Sequence, residues 1–206
     1  MKKFLSVFCT TLLISTNSHA TGLFVGADAL FVNSQHSAKN ISTISGPKNG
    51  DSQAANKFNY GVNAGFRLDV LNLLASAELF YDNLQTSSQN FTSINNQTNN
   101  GDSININNRY GAKANVGFAI LPRVTPFLTY GLANVNYSSN VLSANSSLTK
   151  SELTPLYGVG LLIDLPLGFS AKASYDYQQF NMSSATSNSK IQTHLGVARL
   201  GVIYNF

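Results

Sequence analysis

Residues 58–70, FNYGVNAGFRLDV, are two residue classes interleaved. Phe58, Tyr60, Val62, Ala64, Phe66, Leu68 and Val70 are apolar, while Asn59, Gly61, Asn63, Gly65, Arg67 and Asp69 are polar or glycine. Side chains alternate across a strand, so this strict two-residue period predicts β-structure; a helix would scatter Arg67 and Asp69 among the apolar positions. The period alone leaves open which face turns inward. A soluble barrel or sandwich buries its apolar face, whereas a membrane barrel gives that face to lipid and encloses the polar one.

The same alternation predicts seven further strands. A first covers Gly22 to Val32, with Leu23, Val25, Ala27, Ala29 and Phe31 against Gly26 and Asp28. A third runs from Leu73 to Asp82, setting Leu73, Ala75, Ala77, Leu79 and Tyr81 against Ser76, Glu78, Phe80 and Asp82. A fourth runs from Ile104 to Ile120, with Ile106, Tyr110, Ala112, Ala114, Val116 and Phe118 opposite Asn107, Arg109, Lys113 and Asn115. A fifth covers Thr125 to Tyr137; both of its faces are mixed, and Leu128, Tyr130 and Leu132 are taken as outward. A sixth (Leu153 to Leu165), a seventh (Phe169 to Gln179) and a last one ending at Phe206 complete the set. Tight links at Leu71-Asn72, LPRV and LPLG alternate with polar stretches at 33–57, 83–103, 138–152 and 180–190. Segregation of short and long connections to opposite ends is the habit of outer-membrane barrels. The predicted fold is all-β: an eight-stranded antiparallel up-and-down transmembrane β-barrel with long extracellular loops, short periplasmic turns and both termini periplasmic.

Charge fixes the faces. Asp28, Asp69, Glu78, Asp82, Asp164 and Asp176 fall on one face together with Arg67, Arg109, Lys113, Lys172 and Arg199, and no charged residue falls on the other. A one-residue slip would put these groups into hydrocarbon at roughly 2–4 kcal/mol for each Arg or Lys at the midplane. The signs nearly balance, so an ion-pair network filling a narrow interior is expected, with a proton or ion path as its alternative. Aromatic residues form two levels: Phe58, Tyr60, Tyr81, Tyr175 and Tyr177 toward one rim, Phe66, Phe118, Phe169, Tyr204 and Phe206 toward the other, as interfacial girdles do.

Residues 1–20 carry Lys2 and Lys3, an apolar run from Phe4 to Ile14, and a small-residue end at Ala20. This pattern predicts a cleaved signal peptide followed by a barrel over 21–206. Cleavage would remove Cys9, the only cysteine, and with it any disulfide or thiol chemistry. Metal-ligand clusters, phosphate-cradling loops and basic aromatic grooves for nucleic acid have no counterpart in the sequence, so no cofactor is expected.

The terminal LGVIYNF, ending in Tyr204 and Phe206, resembles the C-terminal signal of bacterial outer-membrane barrels, and VTPFLTYGLANVNY is similar to a strand of the OmpA/OmpX-like superfamily. The resemblance implies contact with outer-membrane lipid and with the barrel-assembly machinery. The long Ser/Asn-rich loops most resemble those of small surface barrels described as adhesins in rickettsia-type bacteria, which implies attachment to host surface or serum proteins. Loop lysines Lys39, Lys48, Lys57, Lys150 and Lys190 are the candidate contact residues, and Ile41, Ile44, Phe91, Ile94, Val141 and Leu142 could anchor a partner or pack within the loops. Two alternatives stay open: a small pore or purely structural barrel, and a lipid-modifying enzyme. The enzyme would need a nucleophile beside a base with an orienting acid. After Ala20 only His36 and His194 offer a base, and the loop before His194 holds no acid.

Overall fold

The computed structural model describes residues 21–38, 54–89, 103–141, 146–183 and 190–206. The predicted signal peptide, Lys39 and Lys48 lie outside them. Eight antiparallel strands close into a barrel in chain order: β1 (Gly22–Ala38), β2 (Ala54–Val70), β3 (Leu73–Gln89), β4 (Ser103–Phe118), β5 (Val124–Val141), β6 (Ser146–Asp164), β7 (Phe169–Ser183) and β8 (Lys190–Asn205). The closing ladder joins β1 to β8, so Gly22 and Phe206 sit at the end where the turns are short, with Phe206 N–H donating to Leu23 O at 2.9 Å. Those turns need left-handed backbone, which Leu71, Arg123, Leu167 and Gly168 supply.

Following the register partners from Gly22 through Arg67, Ser76, Asn115, Thr129, Gly158, Asp176 and Val197 returns to β1 at Val32, ten residues farther on. That stagger corresponds to strands tilted by about 40° to the barrel axis. Over the membrane-spanning part, the alternation falls as the charges require. Leu79, Val116, Leu128, Tyr130, Leu132, Val159 and Leu200 are exposed outward, while Asp28, Glu78, Asp82, Arg109, Lys113, Asp176 and Arg199 are buried inward. The mixed faces of β5 resolve with Leu128, Tyr130 and Leu132 outward. The register stacks Phe31 on Phe58, Tyr81 on Tyr110, and Tyr130 on Tyr157 on Tyr177, an outer aromatic girdle. At the opposite rim the Tyr204 ring touches both Phe169 and Phe206.

Two expectations are corrected. Ile106, assigned outward, is buried, because β4 carries one extra residue, Asn107, against β5 between Ile106 and Asn108; the extra residue of a bulge flips everything beyond it. Larger in consequence, much of the predicted loop sequence is strand. The strands are 15 to 19 residues long, against the roughly 9–11 that cross a bilayer. Their outer ends form a head beyond the lipid band.

In the head the barrel divides. The β2–β3 ladder ends at Tyr60–Asn83 and the β6–β7 ladder ends at Leu156–Gln178, although all four strands continue. The other six ladders persist, for example to Gln89–Ser103 and Ser183–Lys190. Above the girdle the molecule is therefore two four-stranded sheets, β3-β4-β5-β6 and β7-β8-β1-β2, facing each other. Their inward residues make an apolar core: Leu84, Ile106, Val135 and Tyr137 from the first sheet, Leu30, Val32, Phe180, Leu195 and Val197 from the second. The Tyr137 and Phe180 rings meet across it with centroids 6.3 Å apart. The outward positions here are polar, among them Gln35, Gln85, Asn134, Gln179 and Asn181.

Candidate functional site

The lumen is layered. Nearest the short turns, Arg67 holds Asp164 through two parallel hydrogen bonds of 2.7 and 2.9 Å and Asp69 at 2.7 Å. Ser170 Oγ donates to the same Asp164 at 2.8 Å. Above this rim lies a ring of apolar side chains, Phe24, Leu74, Phe127, Leu162 and Ile203. Close packing of Phe127 against β6 requires the bare backbone of Gly160, where a Cβ would collide with the ring's Cζ and stand 2.7 Å from its Cε2.

The central belt comes next. Arg199 Nε donates to Asp176 at 2.7 Å, and its terminal nitrogens reach Asp28 at 3.2 Å and Asp82 at 2.9 Å. Arg109 donates to Asp82 at 2.7 Å and to Gln178 Oε1 at 3.3 Å. Lys172 and Lys113 share Glu78 at 3.1 and 3.3 Å. The belt thus sets Asp28, Glu78, Asp82 and Asp176 against Arg109, Lys113, Lys172 and Arg199, four charges of each sign, all at most 5% exposed. Phe80 projects into its middle with Arg109, Lys113 and Arg199 at 5.6, 5.1 and 5.3 Å from the ring centroid, a place where the ring's negative face offsets part of the cations' lost hydration. The head's apolar core caps the belt.

The structure places the eleven lumen residues named from the sequence in two separate groups, Arg67, Asp69 and Asp164 at the rim and the other eight in the belt. Sequence reasoning missed the apolar layers on either side of them, because it treated the interior as one polar face. The chemistry available to this lumen is cohesion. Neutral, desolvated and enclosed between two greasy layers, it offers little room for an ion or a substrate, and its directional pairs fix register rather than add much stability.

At the head, the two seams are closed by side chains in place of backbone ladders. Asn59 Nδ2 donates to Leu84 O, and Lys57 Nζ to Gln85 O at 2.7 Å, across β2 and β3. Gln178 Nε2 donates to Thr154 Oγ1 at 2.6 Å and to Thr154 O at 3.3 Å across β7 and β6, and to Ala133 O on β5 at 3.1 Å. Lys57, Lys150 and Lys190, expected in loops, lie on β2, β6 and β8 respectively, and Val141 closes β5; this corrects their placement. Ile41, Ile44, Phe91, Ile94 and Leu142 lie outside the described residues. His194 packs against the Tyr177 ring, and its Nδ1 is 2.6 Å from the Tyr177 hydroxyl. Among the described residues, no group of three or more His, Cys, Asp or Glu side chains is placed to hold a metal.

A closed barrel with an apolar exterior between two aromatic levels and its charges enclosed is a bacterial outer-membrane protein by its physics. The chain belongs to the outer membrane protein beta-barrel domain family, whose model matches residues 7–206. Solved structures agree on the fold. Neisserial surface protein A superposes with a TM-score of 0.57 at 18% identity, covering 90% of this chain and 98% of that one. OprG from Pseudomonas aeruginosa gives 0.59 at 12% identity over 92% and 98%. AlkL, solved in DMPC bilayers, gives 0.58 at 12% identity over 94% of each chain. No curated protein matches the chain significantly.

Proposed function

We propose that this outer-membrane protein is an adhesin that holds host-cell or serum proteins through its projecting head, with the barrel as a rigid mount. The observation that carries the reading is the division of the head into two sheets whose seams are bridged by side chains only at their base, with the outer part of β6 unpaired with β7 among the described residues. β6 continues ten residues, Ser146 to Pro155, beyond its last pairing with β7. Thr154 turns its carbonyl toward the seam, where Gln178 caps it, and backbone groups alternate sides along a strand. The even-numbered residues from 146 to 152 therefore present donors and acceptors toward the seam. Such an edge accepts an extended segment of another protein as an added strand. Lys150 is exposed on this edge and available to a partner, whereas Lys57 is engaged in closing the other seam.

A filled, neutral lumen gives no support to the pore alternative, and the hydroxyl beside His194 belongs to a tyrosine of the girdle. Tyr204 and Phe206 stand exposed at the periplasmic rim, suited to recognition by assembly machinery.

The test is a pull-down of host surface and serum proteins with three refolded barrels: the full chain, one with residues 142–145 and 184–189 shortened, and Glu152→Pro. Proline is tolerated on an edge whose N–H faces outward but removes the donor. Binding that survives shortening and is lost in Glu152→Pro supports strand addition. Binding lost only on shortening moves the contact to the loops, and binding by none of the three ends the adhesin reading.

A further inference from the structure

The outward surface of β7, β8 and β1 carries a feature separate from both the lumen and the head. Within the lipid band, the small side chains of Ala173, Ala198 and Ala29 lie across adjacent strands, walled by Val159, Tyr175 and Phe31. They leave a groove of about 580 Å³. Just beyond its outer end the same strands bear a polar cluster. Gln35 lies opposite His194, and His194 opposite Gln179, in the two ladders. The Tyr177 hydroxyl bond to Nδ1, together with a ring stacking at 6.1 Å, fixes the imidazole and leaves Nε2 as its remaining polar atom. Gly196 separates groove from cluster, and a Cβ there would collide with the Tyr175 hydroxyl. The Tyr175 phenol thus bridges the two.

We propose that this face binds one outer-leaflet lipid with an uncharged glycosyl headgroup, its acyl chain in the alanine groove and its sugar on Gln35, Gln179 and His194. The chain half follows from continuity with the lipid-facing surface: hydrocarbon is what the groove meets. The headgroup half follows from charge. Carboxamides donate and accept together, as sugar hydroxyls do, and an imidazole nitrogen adds a further polar contact. A phosphate-bearing headgroup draws Lys or Arg instead, and the nearest on this stretch of β8, Lys190, sits four residues beyond His194. The cluster also lies directly above the aromatic girdle, at the level where headgroups begin.

The test uses the full barrel refolded in detergent and equilibrated with equal mole fractions of digalactosyl diacylglycerol, phosphatidylcholine and phosphatidylglycerol. Native mass spectrometry counts the lipid retained. One galactolipid per barrel is expected, favoured over either phospholipid by about tenfold, the ratio that one to two net hydrogen bonds supply. The Gln35→Ala/Gln179→Ala variant should erase that preference while lipid of some kind is still held. Ala198→Phe should fill the groove and lower retention of all three lipids. Heat-dependent gel mobility confirms that each variant is folded, and Leu128→Phe, on the opposite wall, controls for a bulkier lipid face. Phosphatidylglycerol held best, no preference in the unmodified barrel, or retention unmoved by both variants overturns the proposal. Because no partner protein enters the assay, its outcome is independent of the adhesin reading.

Discussion

Replacing Arg199 with methionine removes one of the four cations in the central belt and leaves four carboxylates facing three. Arg199 is 1% exposed and reaches Asp28, Asp82 and Asp176, so no solvent takes up the loss. Methionine fills much of the vacated volume, which makes the change mainly electrical. The belt then either keeps an uncompensated charge between its two apolar layers or takes up a proton. An ordinary aspartate titrates near pH ~4, so holding a proton on one at pH 7 costs ~1.4 kcal/mol for each of about three pH units, roughly 4 kcal/mol. That agrees with the roughly 3–5 kcal/mol lost when one member of a buried ion pair is removed. The sign of the pH dependence follows. The variant binds a proton on folding that the parent does not, so its deficit grows as pH rises and shrinks by ~1.4 kcal/mol per unit from pH 7 toward pH 4. The assay is equilibrium unfolding by guanidinium in lipid vesicles at pH 7, 5.5 and 4, read by gel mobility and far-ultraviolet circular dichroism. Adding Asp82→Asn restores three charges against three and should recover at least half of the loss. A deficit below about 1 kcal/mol at pH 7, or a double variant losing the sum of the two single ones, would refute a neutral belt acting as a unit.

Further expectations concern the layers around that belt. Phe80→Leu should cost about 1–2 kcal/mol more than Phe24→Leu in the same assay, since three cations face the Phe80 ring; equal losses would mean that Phe80 serves only as packing. Phe180→Ala, by emptying the head's core, should lose about 3–5 kcal/mol there. It would be seen as protease cleavage from outside with the gel shift retained, and cleavage no faster than the parent's would count against a separate head core. Gly160→Ala drives a Cβ into the Phe127 ring and should cost about 1–3 kcal/mol as an overpacking change, measured by the same unfolding transition. The unmodified barrel should show no steady step conductance in planar bilayers; a reproducible step would overturn the filled lumen.

The membrane-spanning half was legible because lipid penalises misplacement of every charge. Arg67, Glu78, Lys113 and Arg199 could each face only inward, and alternation then assigns their neighbours. Which charge pairs with which was not legible. Arg199 and Asp82 are 117 positions apart, and their meeting depends on a stagger set by eight ladders together. The bulge at Asn107 was equally silent, since Asn105, Asn107 and Asn108 read alike and no residue type there announces an extra backbone unit. The Tyr177–His194 contact was half visible: His194 stood out as a rare base, but its partner came from the neighbouring strand.

The head was missed for a more general reason, which β5 makes plain. Its inward residues run Phe127, Thr129, Gly131, Ala133, Val135, Tyr137, and its outward ones Leu128, Tyr130, Leu132, Asn134, Asn136. The apolar class changes face near Leu132 while the two-residue period continues. A reader following one face through the strand sees the pattern decay into polar sequence and infers a loop. Physically the pattern has inverted, because the outside medium changes from hydrocarbon to water. Below that point an apolar exterior costs nothing and charges must be enclosed; above it the hydrophobic effect again rewards an apolar interior. The inversion recurs at Val32–Asn33, Leu84–Gln85 and Phe180–Asn181, at matching heights on four strands, so it marks the outer edge of the bilayer from sequence alone. It also divides the molecule energetically. The head is held by burial of apolar surface away from water, the span by lipid and an enclosed ion network. Low concentrations of guanidinium should therefore loosen the head's core while the barrel beneath it still runs as a folded band on a gel.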